Sequence, residues 1–230
     1  MKRHPLLFAV AVLGLSACDR PAPWARTPSP ASPSALTQTA QQAPPVVRSQ
    51  AIRWDGPQGQ FELNGQPLKA GRIWTFDGST EGFVPVGGDA IPAVPTGLRL
   101  TNTASDPVLR SPKALELNGG RYSLVLVRLT RVRASKSWDG TLYYSTLAHP
   151  EAIGFHSRPI FGGNPLANET MILVFDMAHP KSGGGDWTGS LIDQIRLDTD
   201  DTAGGEFVIH QIAITQNPGL AALGVSPAPP

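Results

Sequence analysis

Cysteine is all but missing from this chain. Cys18 is the only one in 230 residues, so no disulfide can form within it. Nowhere do about 20 apolar residues follow one another, the length a membrane-spanning helix needs. No window of a dozen residues carries a 3.6-residue apolar stripe, which argues against an α/β architecture with amphipathic helices. The signatures G-x-S-x-G and H-E-x-x-H and the phosphate-cradling P-loop are absent as well. Without Lys2 and Arg3, which a leader would take with it, the 19 basic side chains fall to 17 against 18 acidic ones. That formal balance of minus one gives no electrostatic footing for nucleic acid.

What is present begins with an address. Lys2 and Arg3 precede an apolar run from Leu6 to Leu15, too short to span a bilayer and suited to a signal peptide over residues 1–17. Leu15-Ser16-Ala17-Cys18 closes it and matches the lipobox of bacterial lipoproteins. Cys18 is therefore expected to carry diacylglycerol and to hold the chain to a lipid bilayer, with more than one acyl chain giving durable attachment. Asp19 follows directly, and the enterobacterial sorting rule then implies the inner membrane, with the protein facing the periplasm. Residues 18–50 are rich in Pro, Ala, Ser, Thr and Gln and lack aliphatic periodicity, so a disordered tether is expected. Residues 51–216 are the expected folded domain, and 217–230 a Pro-rich tail.

Within 51–216, Phe61 to Leu68 contains Asn64-Gly65, a strong hairpin signal. Strand candidates then recur at short intervals: 72–76, 97–101, 114–117, 122–132, 141–147, 153–156, 170–177, and two closing strands within Asp186 to Ile214. Gly and Pro separate most of them. Many short strands with this punctuation predict an all-β fold, an antiparallel β-sandwich, after the disordered N-terminal tether.

In the closing stretch, Leu191, Ile195 and Leu197 share one parity and Val208, Ile212 and Ile214 another. Both strands read as central, joined by an acidic turn with Gly204 and Gly205. The run Asp198 to Thr202 superficially matches a D-x-D-x-T phosphatase nucleophile, but the α/β domain which that motif opens does not follow. It also departs from a calcium loop, since Ala203 stands where Gly is required and no helices flank it. A solvated turn is the simpler reading.

The run Trp187, Gly189, Leu191, Ile195, Arg196, Leu197, Asp198, followed by Gly205 to Ile214, resembles the end of galactose-binding-like jelly rolls, the sandwich domains used by many carbohydrate-binding modules. Trp74 to Asp77, Glu81-Gly82-Phe83, Asp106-Pro107, the strand from Tyr122, and Gly140 to Tyr144 agree with it in order. The resemblance covers about residues 72–215. It implies a jelly roll and sugar binding, and a packing role for Trp187. Such domains often hold a structural calcium between the first and last strands. Here His210 stands where an acid is common, leaving Asp77 and Asp198 as candidate contributors; no other cofactor is expected.

Sugar recognition needs flat aromatic faces with hydrogen-bonding groups beside them. Tyr144, Trp138 and Phe155 are the candidate platforms and Arg128 a candidate polar partner. Tyr143 and Tyr144 must face opposite ways, and Tyr144 is expected to line the groove. No catalytic residues are assigned. His149, His156, His179 and His210 show no ligand spacing, His210 reading as a hydrogen-bonded core residue, and the carboxylates cannot be paired from spacing. The expectation is a membrane-anchored, non-catalytic envelope lipoprotein that binds carbohydrate. The alternatives are a structural or assembly lipoprotein that binds an envelope protein and, more remotely, a glycan-active hydrolase.

Overall fold

Asn64 and Gly65 take φ of 51° and 77°, the left-handed pair that a two-residue hairpin demands. They join Gln60–Leu63 (β2) to Gln66–Pro67 (β3), and Ile52–Asp55 (β1) pairs along the other edge of β2. The structure is a computed structural model that describes residues 51–93 and 95–225. The expected signal peptide, Cys18, Asp19 and the tether through residue 50 lie outside the described residues, as do residues 226–230 of the tail.

The chain continues through Ala70–Trp74 (β4), Val84–Val86 (β5), Gly88–Pro92 (β6), Leu98–Asn102 (β7), Val108–Arg110 (β8) and Leu117–Asn118 (β9). Leu124–Arg133 (β10), Trp138–Thr146 (β11), His156–Ser157 (β12) and Glu169–Asp176 (β13) follow. One helical turn, Asp186–Gly189 (α1), precedes Leu191–Asp200 (β14) and Glu206–Thr215 (β15). One sheet runs β13-β10-β15-β7-β6 with β4 also on β15. The other runs β12-β11-β14-β8-β5 with β9 also on β14. From β9 onward the chain passes back and forth between the sheets, giving the wrapped path of an antiparallel jelly roll.

β14 and β15 are central, as expected, but they do not pair with each other. Each sits in the middle of its own sheet, so the acidic turn between them is a corner and not a hairpin loop. Arg131 of β10 bonds Asp200 of β14 at 3.3 Å, the carboxylate fully buried, and Asn102 of β7 reaches the same carboxylate at 2.9 Å. This clasp joins the sheets at that end. Burial pushes the Asp200 carboxyl above its ordinary pKa, with Asn102 and Arg131 opposing. Gly205 lies against that carboxylate, where a side chain would collide with it.

Two bulges reset the expected parity. Opposite β10, Arg128 pairs with Gln211 and Leu129 with Ile209, so His210 is an extra residue. Phe207, Ile209, Ile212 and Ile214 consequently all reach the core, and Val208 does not. On β14, Gln194 faces Ser145 and Ile192 faces Thr146, leaving Asp193 over. Ile192 is then buried, whereas Leu191, expected inside, is 42% exposed.

Trp74, Phe76, Phe83, Phe175 and Phe207 fill the space between the sheets with the aliphatic side chains of β10, β14 and β15. A second core lies on the outside of the first sheet, where Phe61 and Leu63 of the small N-terminal sheet and Leu68 just after it cover Leu124, Leu126, Val174 and Ala213. Each such Leu, Val or Phe side chain, fully buried, contributes roughly 1.5–3 kcal/mol. Past residue 216 the chain still packs: Asn217 bonds Asp176 at 2.7 Å, and Leu223, 3% exposed, joins the second core.

Candidate functional site

The four side chains expected to form a sugar groove are dispersed. Tyr144 is fully buried, with the rings of Trp187, Phe155 and His149 at 5.0, 5.8 and 5.9 Å. Burial, then the nearby Asp186, pushes its phenol above its ordinary pKa. It belongs to the core because Leu142, of the same parity, faces the core with it. Phe155 is half-buried and stacks on His149 at 3.6 Å. Trp138 sits toward the other end of β11, where Arg131 lies over its ring at 5.4 Å and Phe207 packs at 5.9 Å. Gly140 leaves room for the indole, which a Cβ would approach to 2.7 Å. Arg128 lies on the first sheet, bonded to Gln211 at 3.0 Å and lining a hollow with Ile52 and Met171. Burial lowers its guanidinium pKa. No single groove joins these four.

The candidate calcium contributors are also apart. Asp77 follows β4 of the first sheet, exposed and bonded to Thr75 at 2.7 Å. Asp198 lies in β14 of the second sheet. Among the described residues no group of three or more His, Cys, Asp or Glu is placed to hold a metal. Glu81 instead accepts the backbone N–H groups of Thr75 and Phe76 at 2.9 and 2.5 Å and fixes the turn after β4. Trp187 has the expected packing role: fully buried, it donates its indole N–H to the Tyr122 carbonyl at 2.9 Å.

The second sheet assembles a different constellation on its outer face. Strand register aligns His156 of β12, Tyr143 of β11, Arg196 of β14 and Arg110 of β8 across four neighbouring strands. The Arg196 guanidinium lies over the Tyr143 ring at 4.7 Å, and the His156 ring sits 5.3 Å from it on the other side. Asp198, next along β14, accepts two bonds from Arg196. Glu151, from the loop after β11, accepts one from Arg196 at 2.7 Å and two from Arg110 at 3.0 and 2.9 Å. Arg158 is paired with Asp139 nearby, at 2.8 Å.

The two carboxylates on Arg196 are driven in opposite directions. Asp198 is pushed up to about 6 by burial, with Asp139 and Asp106 adding to it against Arg196. Burial also works against Glu151, but Arg110 and Arg196 outweigh it and hold its carboxyl below the usual range. Arg196 feels the same contest: burial disfavours its charge, while Asp198 and Glu151 raise its pKa beyond the ordinary value. A split carboxylate pair is a familiar acid–base arrangement. Here the Asp198 side chain is only 2% exposed, and both carboxylates are turned onto Arg196. The pair positions a guanidinium.

Alongside this row the loop 147–151 walls a cleft of about 550 Å³. Ser145, Asp193, Gln194, Arg110 and Lys113 supply hydrogen-bonding groups, and Leu147 and Pro150 an apolar side. This mixture suits a polyhydroxylated ligand, whose hydroxyls donate and accept while its C–H faces pack on apolar surface. Glu151 could not be paired from the sequence and Arg110 went unseen, because both meet Arg196 only through tertiary structure. The polar alternation Thr141, Tyr143, Ser145 was the available signal that Tyr143 faces outward.

No protein-family model matches this chain, and no curated protein matches it. Solved structures do. A family 29 carbohydrate-binding module from Piromyces equi is similar at 11% identity and a TM-score of 0.43, over 63% of this chain and 90% of that one. A xylan-binding domain of family 22 is similar at 16% identity and a TM-score of 0.41, over 64% and 95%. A carbohydrate esterase from the Shiga toxin-encoding bacteriophage phi24B is similar at 12% identity and a TM-score of 0.41, over 65% and 99%. The chain's own strand order makes it an antiparallel jelly-roll sandwich, and what it binds has to be read from its own side chains.

Proposed function

We propose that this chain is a lipid-anchored, non-catalytic protein of the bacterial cell envelope, held through acylated Cys18, whose jelly roll binds carbohydrate on the outer face of its second sheet. The observation that carries the reading is the row His156, Tyr143, Arg196, Arg110 beside a polar cleft of about 550 Å³. Leu15-Ser16-Ala17-Cys18 supports the anchor, and Asp19 points to the inner membrane. Affinity gel electrophoresis of residues 44–230 through a panel of polysaccharides tests the binding. Retardation by at least one glycan, lost on Arg110→Ala with unfolding unchanged, is the expected result; migration unaffected by every glycan overturns it.

One observation favours a second reading, an envelope protein as partner. Val84 and Val86 on edge strand β5 and Ile91 on edge strand β6 are 57, 52 and 55% exposed, an aliphatic edge of the kind protein contacts use. Capture of one envelope protein by the wild type but not by Val86→Lys would support it.

A further inference from the structure

His149 stands in the loop that walls the cleft, and both of its ring nitrogens meet oxygens that can only accept. Nδ1 lies 2.8 Å from the Pro150 carbonyl, and Nε2 lies 2.9 Å from Oδ2 of Asp186 on α1. A neutral imidazole has one N–H and one lone pair and can satisfy only one of these partners; the imidazolium satisfies both. The carbonyl it holds belongs to the Pro150–Glu151 peptide. Glu151 reaches from that peptide to Arg110 and Arg196.

We infer that His149 is a positioning residue for the proposed binding face, and that protonated His149 fixes the Pro150–Glu151 peptide and through it the Glu151, Arg110 and Arg196 network. When the proton leaves, the stronger bond to the Asp186 carboxylate keeps the remaining N–H. The Nδ1 lone pair then opposes the Pro150 carbonyl, and that peptide is released. The ring cannot swing away freely, because Phe155 stacks on it at 3.6 Å and Tyr144 packs at 5.9 Å. The strain therefore passes to the loop. Asp186 is the charged group that bonds His149. Glu151 lies two residues along its own loop, and Arg110, Lys113 and Asp193 share the cleft it lines. The link to binding rests on the reading of this face as the carbohydrate site.

The test is nitrogen-15 NMR of residues 19–230 between about pH 5 and pH 8, the range in which imidazoles change charge. The expected result is two protonated His149 ring nitrogens at the acid end. The Arg110 Nε–H, bonded to Glu151 at 3.0 Å and clear of Asp198, should then move in step as His149 loses its proton. Asp186→Asn should abolish the Arg110 step, since the amide can turn its NH2 toward Nε2 and let the neutral ring keep Nδ1–H on Pro150. That variant also separates His149 from His156, which lies beside Tyr143 and is untouched by the change. An Arg110 signal that stays fixed from the acid to the alkaline end overturns the inference, as does an undiminished step in Asp186→Asn. With a retained polysaccharide as probe, the share of affinity lost from the acid to the alkaline end that Asp186→Asn abolishes should be about fivefold, the worth of about one hydrogen bond. A failure of every glycan to bind would count against the proposed function alone, because the NMR result stands without a ligand.

Discussion

Tyr143 and Tyr144 are consecutive in β11 and end in opposite worlds: the Arg196 guanidinium lies 4.7 Å above the Tyr143 ring on the outer face, while Tyr144 is fully buried against Trp187. Tyr144→Ala should therefore cost about 3 kcal/mol or more in urea unfolding, the usual range for emptying a buried aromatic site. Tyr143→Ala should cost much less stability and weaken glycan retention about fivefold or more. Equal destabilisation by the two would contradict the assignment of faces.

Gly119 lies directly against the Trp187 carbonyl, and a Cβ there would overlap that oxygen. Gly119→Ala should lower stability by about 3 kcal/mol or more, since backbone meets backbone and neither can yield cheaply. Gly154, with nothing within 4 Å of its would-be Cβ, is the control: Gly154→Ala should change the urea midpoint by less than the equivalent of about 0.5 kcal/mol.

Removing one partner of the clasp at Asp200 leaves Arg131, itself 6% exposed, as a buried charge. Asp200→Ala should cost about 3–5 kcal/mol, and adding Arg131→Met should recover part of that loss because no charge then remains alone in the interior. A double variant less stable than the sum of the singles would show the clasp works otherwise.

In the unfolded chain the Asp198 carboxyl titrates near 4, and in the fold near about 6. The stability from its protonated form is fully present below about pH 4 and is lost as pH rises through about 6. Relative to Asp198→Asn, the wild type should lose on the order of 2 kcal/mol between those limits. Glu151 titrates in both proteins and largely drops out of the difference. Urea curves at the two ends measure it, and a wild-type gain with rising pH would reverse the expected sign.

Cys18→Ser should leave an unprocessed precursor or release the protein from membranes, as read by fractionation and by labelled fatty acid incorporation. Continued processing and membrane retention would rule out acylation as the anchor.

The sequence by itself determined the class of fold and much of its punctuation. Asn64-Gly65 specified a hairpin because few other dipeptides tolerate two positive φ values, and alternation marked most of the longer strands. Trp187 was legible as a packing residue, and strand geometry alone forced Tyr143 and Tyr144 apart. Alternation is relative, however, and a single bulge inverts it. The extra residues His210 and Asp193 exchanged Leu191 for Ile192 and put Phe207 and Ile209 in the core in place of Val208, and neither bulge has a local signature. The short strands β5, β6 and β8 went unseen because their stability comes from neighbours brought in by the wrap. The same applies to the site: Arg110, Glu151 and Arg196 are far apart along the chain and become one network only when β8, β14 and the loop after β11 meet. Local physics fixes what each segment can be, and the sheets decide which face of it is inside.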